Sequence, residues 1–111
     1  MKIYDDKKFF FSIILATYNG SNFLLKQLNS IVNQSFIDWE IIIIDDCSSD
    51  KTIEIINNEK YKFNNIKVIT NKINIGPSLS FFKAFDYVRG KWIVFCDQDD
   101  IWSRNKLKVL H

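Results

Sequence analysis

Three of the four residues from 97 to 100 are acids, Asp97, Asp99 and Asp100, and they follow directly on the bulky apolar run "WIVFC" at 92 to 96. Carboxylates this close repel unless a cation, a hydrogen-bonding partner or water offsets them. In an irregular turn, a D-x-D spacing can aim two carboxylates into one volume. Hard divalent cations such as Mg²⁺ and Mn²⁺ favour oxygen ligands, and Mg²⁺ is often held by one or two carboxylates with phosphate oxygens completing its shell. Held there, such a cation would neutralise a departing diphosphate. The competing role is plainer: loop and capping acids ahead of a helix that starts near Asn105.

A second acidic pair, Asp45 and Asp46, closes the run "WEIIIID". An acid at a strand end can accept from a nucleobase N–H or a ribose hydroxyl; it can equally cap the helix that begins near Lys51. A third polar stretch, Thr17, Tyr18 and Asn19, follows "FFFSIILAT". Tyr18 has a ring to stack on a base, or to cover the core while Asn19 makes a turn.

These stretches must be held by the elements before them. Residues 9–17 and 39–45 are near-continuous apolar runs rich in β-branched side chains, the pattern of strands buried on both faces. Residues 66–70 make a shorter strand and "KWIVFCD" a fourth. Phe23, Leu24, Leu28, Ile31 and Val32 recur at helical spacing up to residue 33. Ile53 and Ile56 mark a second helix up to about Asn58, with Ser49 or Asp50 as its N-cap. Phe81, Phe82, Phe85 and Val88 stripe a third helix as core residues, with Pro77 near its start, Ser78 as its cap and Gly90 closing it as a C′ glycine. A last helix begins at 105 and runs to 110. Strand and helix alternate, which predicts an α/β fold: a mostly parallel four-stranded sheet with helices on both faces. In such sheets ligands gather outside the carboxyl ends of the strands, and the three polar stretches fall there.

Composition narrows the function. At 111 residues the chain is one domain, and 47% hydrophobic with 25% charged residues suits a packed core. A net charge of +2, with Lys7 and Lys8 offset by Asp5 and Asp6, predicts no nucleic-acid partner. "FFFSIILA" reads as a buried strand rather than a signal peptide, and no run reaches the ~18 to 20 apolar residues that span a bilayer. Cys47 and Cys96 lack metal-type spacing and fall on strands separated by a third, about 10 Å apart, so free thiols in a cytoplasmic protein are expected. The single histidine is His111. No G-x-G-x-x-G and no phosphate-binding lysine loop occurs, which disfavours dinucleotide cofactors and Walker-type ATP binding.

"SIILATYNG", "QLNSIVNQSF.DWEIIIIDDCSSDKT", the N-x-G at Asn74 and Gly76, and "FCDQDDIW" together resemble the family 2 inverting glycosyltransferases of GT-A fold, in order and spacing, across residues 11 to 110. "DQDDIW" is similar to bacterial members that build cell-surface polysaccharides, rhamnosyltransferase-like enzymes among them. The resemblance implies a Rossmann-like nucleotide-sugar-binding half. Ala16, Thr17 and Tyr18 would line the nucleotide pocket, Asp46 would bond the base and Asp45 would support its loop. Asp97 would reach the ribose side and share with Asp99 a Mg²⁺ or Mn²⁺ on the diphosphate. Asp100 and Trp102 would shape the sugar side. The donor would be a UDP- or dTDP-linked sugar. The acceptor, a saccharide or lipid-linked glycan, would be met at the inner face of the membrane in the full protein.

Two departures qualify the resemblance. Family members carry an acceptor-binding half with the catalytic base beyond the position of residue 111, so chain 1–111 is expected to be a truncated donor-binding domain, inactive alone, with an apolar edge open to self-association. Cys47 also stands where the family more often has glycine or asparagine, residues that tolerate left-handed backbone better. The alternatives are a non-catalytic nucleotide-binding module and a receiver-like phosphoacceptor domain. Against the latter, Asp97 follows the fourth strand and not the third.

Overall fold

The computed structural model describes residues 8–97 and 100–111. Four strands, β1 (Phe9–Thr17), β2 (Trp39–Asp45), β3 (Ile66–Thr70) and β4 (Gly90–Cys96), form one parallel sheet in the order β3-β2-β1-β4. Between and after them run α1 (Leu24–Val32), α2 (Thr52–Lys60), α3 (Pro77–Ala84) and α4 (Lys106–Leu110).

The pleat sorts the side chains. Phe11, Ile13, Leu15, Ile41 and Ile43 point to one face, where Leu24, Leu28 and Ile31 of α1, Ile56 of α2 and Leu107 of α4 cover them. Ile14, Ile42 and Ile44 point to the other, under Ala84 and Phe81 of the α3 side. The four isoleucines 41–44 are at most 1% exposed, each burial contributing roughly 1.5–3 kcal/mol. The expected sheet with helices on both faces is therefore observed.

Gly90 does not end a helix. α3 stops at Ala84, a 3₁₀ turn covers Phe85–Tyr87, and Gly90 is the first residue of β4. A Cβ there would lie 2.6 Å from both the backbone nitrogen and the Oγ of Ser12, so its role is close approach to β1. α3 starts differently as well: Gly76, at φ 88°, precedes Pro77 in the first turn, and Ser78 lies inside the helix. α2 runs past the expected end to Lys60, with Glu59 buried in its last turn. Neither expected residue is its N-cap: Lys51 holds that place without a side-chain bond, Asp50 Oδ1 accepts from the Thr52 N–H at 2.9 Å from one residue earlier, and Ser49 donates its N–H to Asn19.

Two helix-three phenylalanines expected in the core are exposed, Phe82 by 70% and Phe85 by 43%. Phe82 lies against Phe85 and Phe85 against Phe95 of β4, which is itself half exposed, and Trp92 and Ile93 are also open. Among the described residues β4 pairs only with β1, so one edge of the sheet and its flanking aromatics are uncovered.

Candidate functional site

Strand order reverses between β1 and β4, and a cleft of about 390 Å³ opens at the carboxyl ends there. Ala16, Thr17 and Tyr18 line it from β1 and its exit, Asp46 from the end of β2, Asp97 from the end of β4, and Asn74, Gly76, Pro77 and Phe81 from the β3–α3 side. Five of the expected site residues thus share one wall-to-wall space.

The β1 and β2 exits are tied together by short polar side chains. Thr17 donates its hydroxyl to Asp45 Oδ1 at 2.6 Å, and Ser48 donates its N–H to Asp45 Oδ2 at 2.9 Å and its hydroxyl to Oδ1 at 2.7 Å. Asp45 is buried and committed to this loop. Asn19, at φ 49°, donates its N–H to Ser48 Oγ and accepts from the Ser49 N–H. Gly20 and Ser21 donate to Thr52 and Asp50 in the same way. Cys47 stands at φ 64°, the left-handed conformation that glycine or asparagine adopts more easily.

Asp46 is 3% exposed and accepts three hydrogen bonds: at Oδ1 from Asn71 Nδ2 (3.0 Å) and the Ile75 N–H (2.7 Å), at Oδ2 from the Gly76 N–H (2.8 Å). Burial pushes its pKa up, but the donors from Ile75, Asn71 and Gly76 outweigh that and leave it lowered. A carboxylate has about four lone-pair sites, so one on Oδ2 stays open. Asn71 is fixed in turn by Ser80 Oγ (3.1 Å) and by Lys83, which donates to its Oδ1 at 2.8 Å. Neither Asn71 nor Lys83 was singled out from sequence; the signal was a polar residue directly after β3, where ligand-side groups gather.

The β4 exit is built otherwise. Asp97 is exposed and Asp100 half-buried, and what is fixed is backbone: the Asp97 carbonyl accepts from the Asp100 N–H (3.1 Å) and from Gln27 Nε2 (2.5 Å). Asp99, expected to hold the metal, lies outside the described residues. Among the described residues no group of three or more His, Cys, Asp or Glu converges. Asp100 does not line the cleft; Asp97 does, and it offers hard oxygen donors there, which suits a cation that takes few protein carboxylates and completes its shell with phosphate. Trp102 does not line the cleft; its ring is in the core and 5% exposed. The two cysteines are free, and burial pushes the Cys96 thiol up to about 12, which makes it a poor nucleophile.

Residues 12–110 match the model of the family described as glycosyl transferase family 2. The chain belongs to that family. It is 33% identical over 97 residues to the putative teichuronic acid biosynthesis glycosyltransferase TuaG of Bacillus subtilis, covering 87% of this chain and 38% of the relative. It is 36% identical over 99 residues to the dTDP-rhamnosyl transferase RfbG of Shigella flexneri, covering 85% and 34%. The crystal structure of S. aureus TarS 1-349 in complex with UDP superimposes with a TM-score of 0.85 at 33% identity, over 91% of this chain and 30% of that one. This glycosyltransferase chain therefore spans roughly a third of the length of these relatives. Its fold is the N-terminal, nucleotide-sugar side of a GT-A glycosyltransferase, and the receiver-like reading is set aside. No helix among the described residues is long and apolar enough to cross a membrane.

Proposed function

We propose that residues 1–111 form the donor-binding half of a glycosyltransferase that transfers a sugar from a UDP- or dTDP-linked donor, with inversion, in cell-surface polysaccharide synthesis. The observation that carries the reading is Asp46, a nearly buried carboxylate at the cleft with one acceptor position left. Uracil and thymine offer a single ring N–H between two carbonyls, which needs one such position; guanine offers adjacent N–H donors and needs two. Tyr18, Pro77 and Phe81 supply flat apolar surface for the base. Asp97 faces the ribose and diphosphate.

In the reaction proposed, an acceptor hydroxyl attacks the anomeric carbon from the side opposite the diphosphate, and that C–O bond breaks as the new one forms. Mg²⁺ or Mn²⁺, held by Asp97 and Asp99, would supply Lewis-acid neutralisation of the diphosphate. The chain's own residues bind the base, orient the diphosphate and keep the loops closed on them. No residue of 1–111 is assigned as the base that takes the acceptor's proton, so this chain alone is proposed to bind donor without transferring sugar. The site of action proposed is cytoplasmic, at the inner face of the membrane. Its open β4 edge, with Trp92, Ile93 and Phe95 exposed, is the proposed place of self-association between copies, checked by sedimentation over a range of concentrations.

The test is calorimetric titration with UDP, dTDP and GDP, each with and without Mn²⁺. Binding of UDP or dTDP strengthened by Mn²⁺, with the strengthening lost in Asp99→Ala, supports the reading. Preference for GDP, or no nucleotide binding by this chain or by a longer form of the protein, contradicts it.

A further inference from the structure

The Asp46 carboxylate is held by a side chain that is itself held. Asn71, the first residue after β3, is 6% exposed, and its amide is bonded at both ends. Its Nδ2 donates to Asp46 Oδ1 at 3.0 Å and to Ser80 Oγ at 3.1 Å, while its Oδ1 accepts from Lys83 Nζ at 2.8 Å. Ser80 and Lys83 stand at i and i+3 on α3, so one face of that helix grips the amide with two side chains. Lys83 is half-buried, and among the described residues its ammonium makes no ion pair. A lysine ordinarily keeps its charge in water or against a carboxylate. Here it ends on a neutral carbonyl.

That contact decides which way the amide lies. An ammonium has donors and no acceptor, and an ionised carboxylate has acceptors and no donor. Between Lys83 and Asp46, the carbonyl of Asn71 has to face the lysine and its NH₂ the aspartate; the reverse sets donor against donor and acceptor against acceptor. The Asn71 and Ile75 donors then fill both acceptor positions of Asp46 Oδ1. The Gly76 N–H takes one on Oδ2, and the position left open belongs to a carboxylate that lines the cleft. We propose that Lys83 is a specificity-determining positioning residue of the base site: through Asn71 it holds Asp46 with its one open acceptor toward the cleft, which admits a pyrimidine with a ring N–H, uracil or thymine, and turns cytosine away. This rests on the donor-site reading above. Cytosine has a bare ring nitrogen where uracil has its N–H, so it would bring an acceptor to an acceptor. Lys83 is the determinant rather than Ser80, because a hydroxyl both donates and accepts and so tolerates either orientation of the amide.

The experiment titrates the unsubstituted chain, Lys83→Met and Lys83→Arg with uridine and with cytidine, free of metal, following amide shifts by NMR. The two ligands share a sugar and differ at the edge of the base, so their ratio reads the base site alone. Methionine keeps the apolar stem of Lys83 and drops the ammonium, and the position is only half-buried. The unsubstituted chain is expected to bind uridine at least about tenfold more tightly than cytidine. Lys83→Met is expected to lower uridine affinity about fivefold and to leave cytidine affinity within about twofold, the scale on which members of one hydrogen-bond network couple. Lys83→Arg, again a donor only, is expected to hold the uridine preference within about twofold of the unsubstituted chain.

An unchanged uridine preference in Lys83→Met would overturn the proposal. So would an equal fall for both nucleosides in a chain that stays folded, since that is a structural effect only. A loss in Lys83→Arg as large as that in Lys83→Met would overturn it as well. If the unsubstituted chain binds uridine no better than cytidine, the donor-site reading fails at its base and this inference falls with it, an outcome seen before any substitution is made.

Discussion

The two acidic strand ends of this chain solve the same electrostatic problem in opposite ways. At the end of β2, Asp45 and Asp46 are adjacent, nearly buried and satisfied by six protein donors in all, three on each. At the end of β4, the Asp97 side chain stays exposed while its carbonyl is anchored from α1 and from within the turn. One end spends its carboxylates on folding the loops and has a single acceptor left. The other fixes its backbone, and the exposed Asp97 carboxylate makes no hydrogen bond or ion pair among the described residues, which is what a cation needs. The difference teaches where binding ought to be metal-free and where it ought not.

Removing Asp46 should have the largest effect, since it breaks the finished end. Asp46→Ala leaves the Ile75 and Gly76 N–H groups without their acceptor; bonds to charged groups are worth roughly 1.5–3 kcal/mol each, so a stability loss of about 3 kcal/mol or more is expected in urea unfolding. UDP affinity should fall with and without metal alike. Asp97→Ala comes next. It should leave stability within about 0.5 kcal/mol, as surface substitutions do, while removing about tenfold of the Mn²⁺ gain in calorimetry.

Acid should separate the ends a third way. Asp46 is lowered, and Asp50, set by burial working against bonds from Thr52 and Ser21, is lowered to about 2. A carboxylate depressed in the fold adds stability that is whole above its unfolded value near 3.8 and is lost as pH falls through the folded one. Unfolding midpoints should therefore hold steady from neutral pH to about 4 and decline between there and about 2. A decline beginning near pH 6 would contradict this account. The smallest effect expected is a gain: Cys47→Gly relieves a left-handed cysteine and should stabilise by about 0.5–1 kcal/mol, the strain of ~1–2 kcal/mol less the added freedom of glycine in the unfolded chain.

The buried strands were legible because they are written in continuous apolar runs: β1, β2 and β3 begin and end where the residue types change. The convergence of three polar strand ends followed from topology, and the left-handed position at Cys47 from the glycine or asparagine that the family more often has there. Gly90 was misread because a glycine after a helical stripe looks like a terminator, and only packing shows that its lack of a Cβ serves Ser12. Phe82 and Phe85 were misread because an aromatic stripe states that a surface is apolar, not that anything covers it. Gln27 was passed over because its bond is to a carbonyl 70 residues away, and backbone acceptors leave no mark in a sequence.

The claim that matters most is that the base end works without metal and the diphosphate end with it. Titrating the chain with uridine and with UDP, each with and without Mn²⁺, tests this directly. The account predicts that Mn²⁺ strengthens UDP binding by about tenfold or more and leaves uridine binding within about twofold. Equal strengthening of both ligands, or none for UDP, would contradict it.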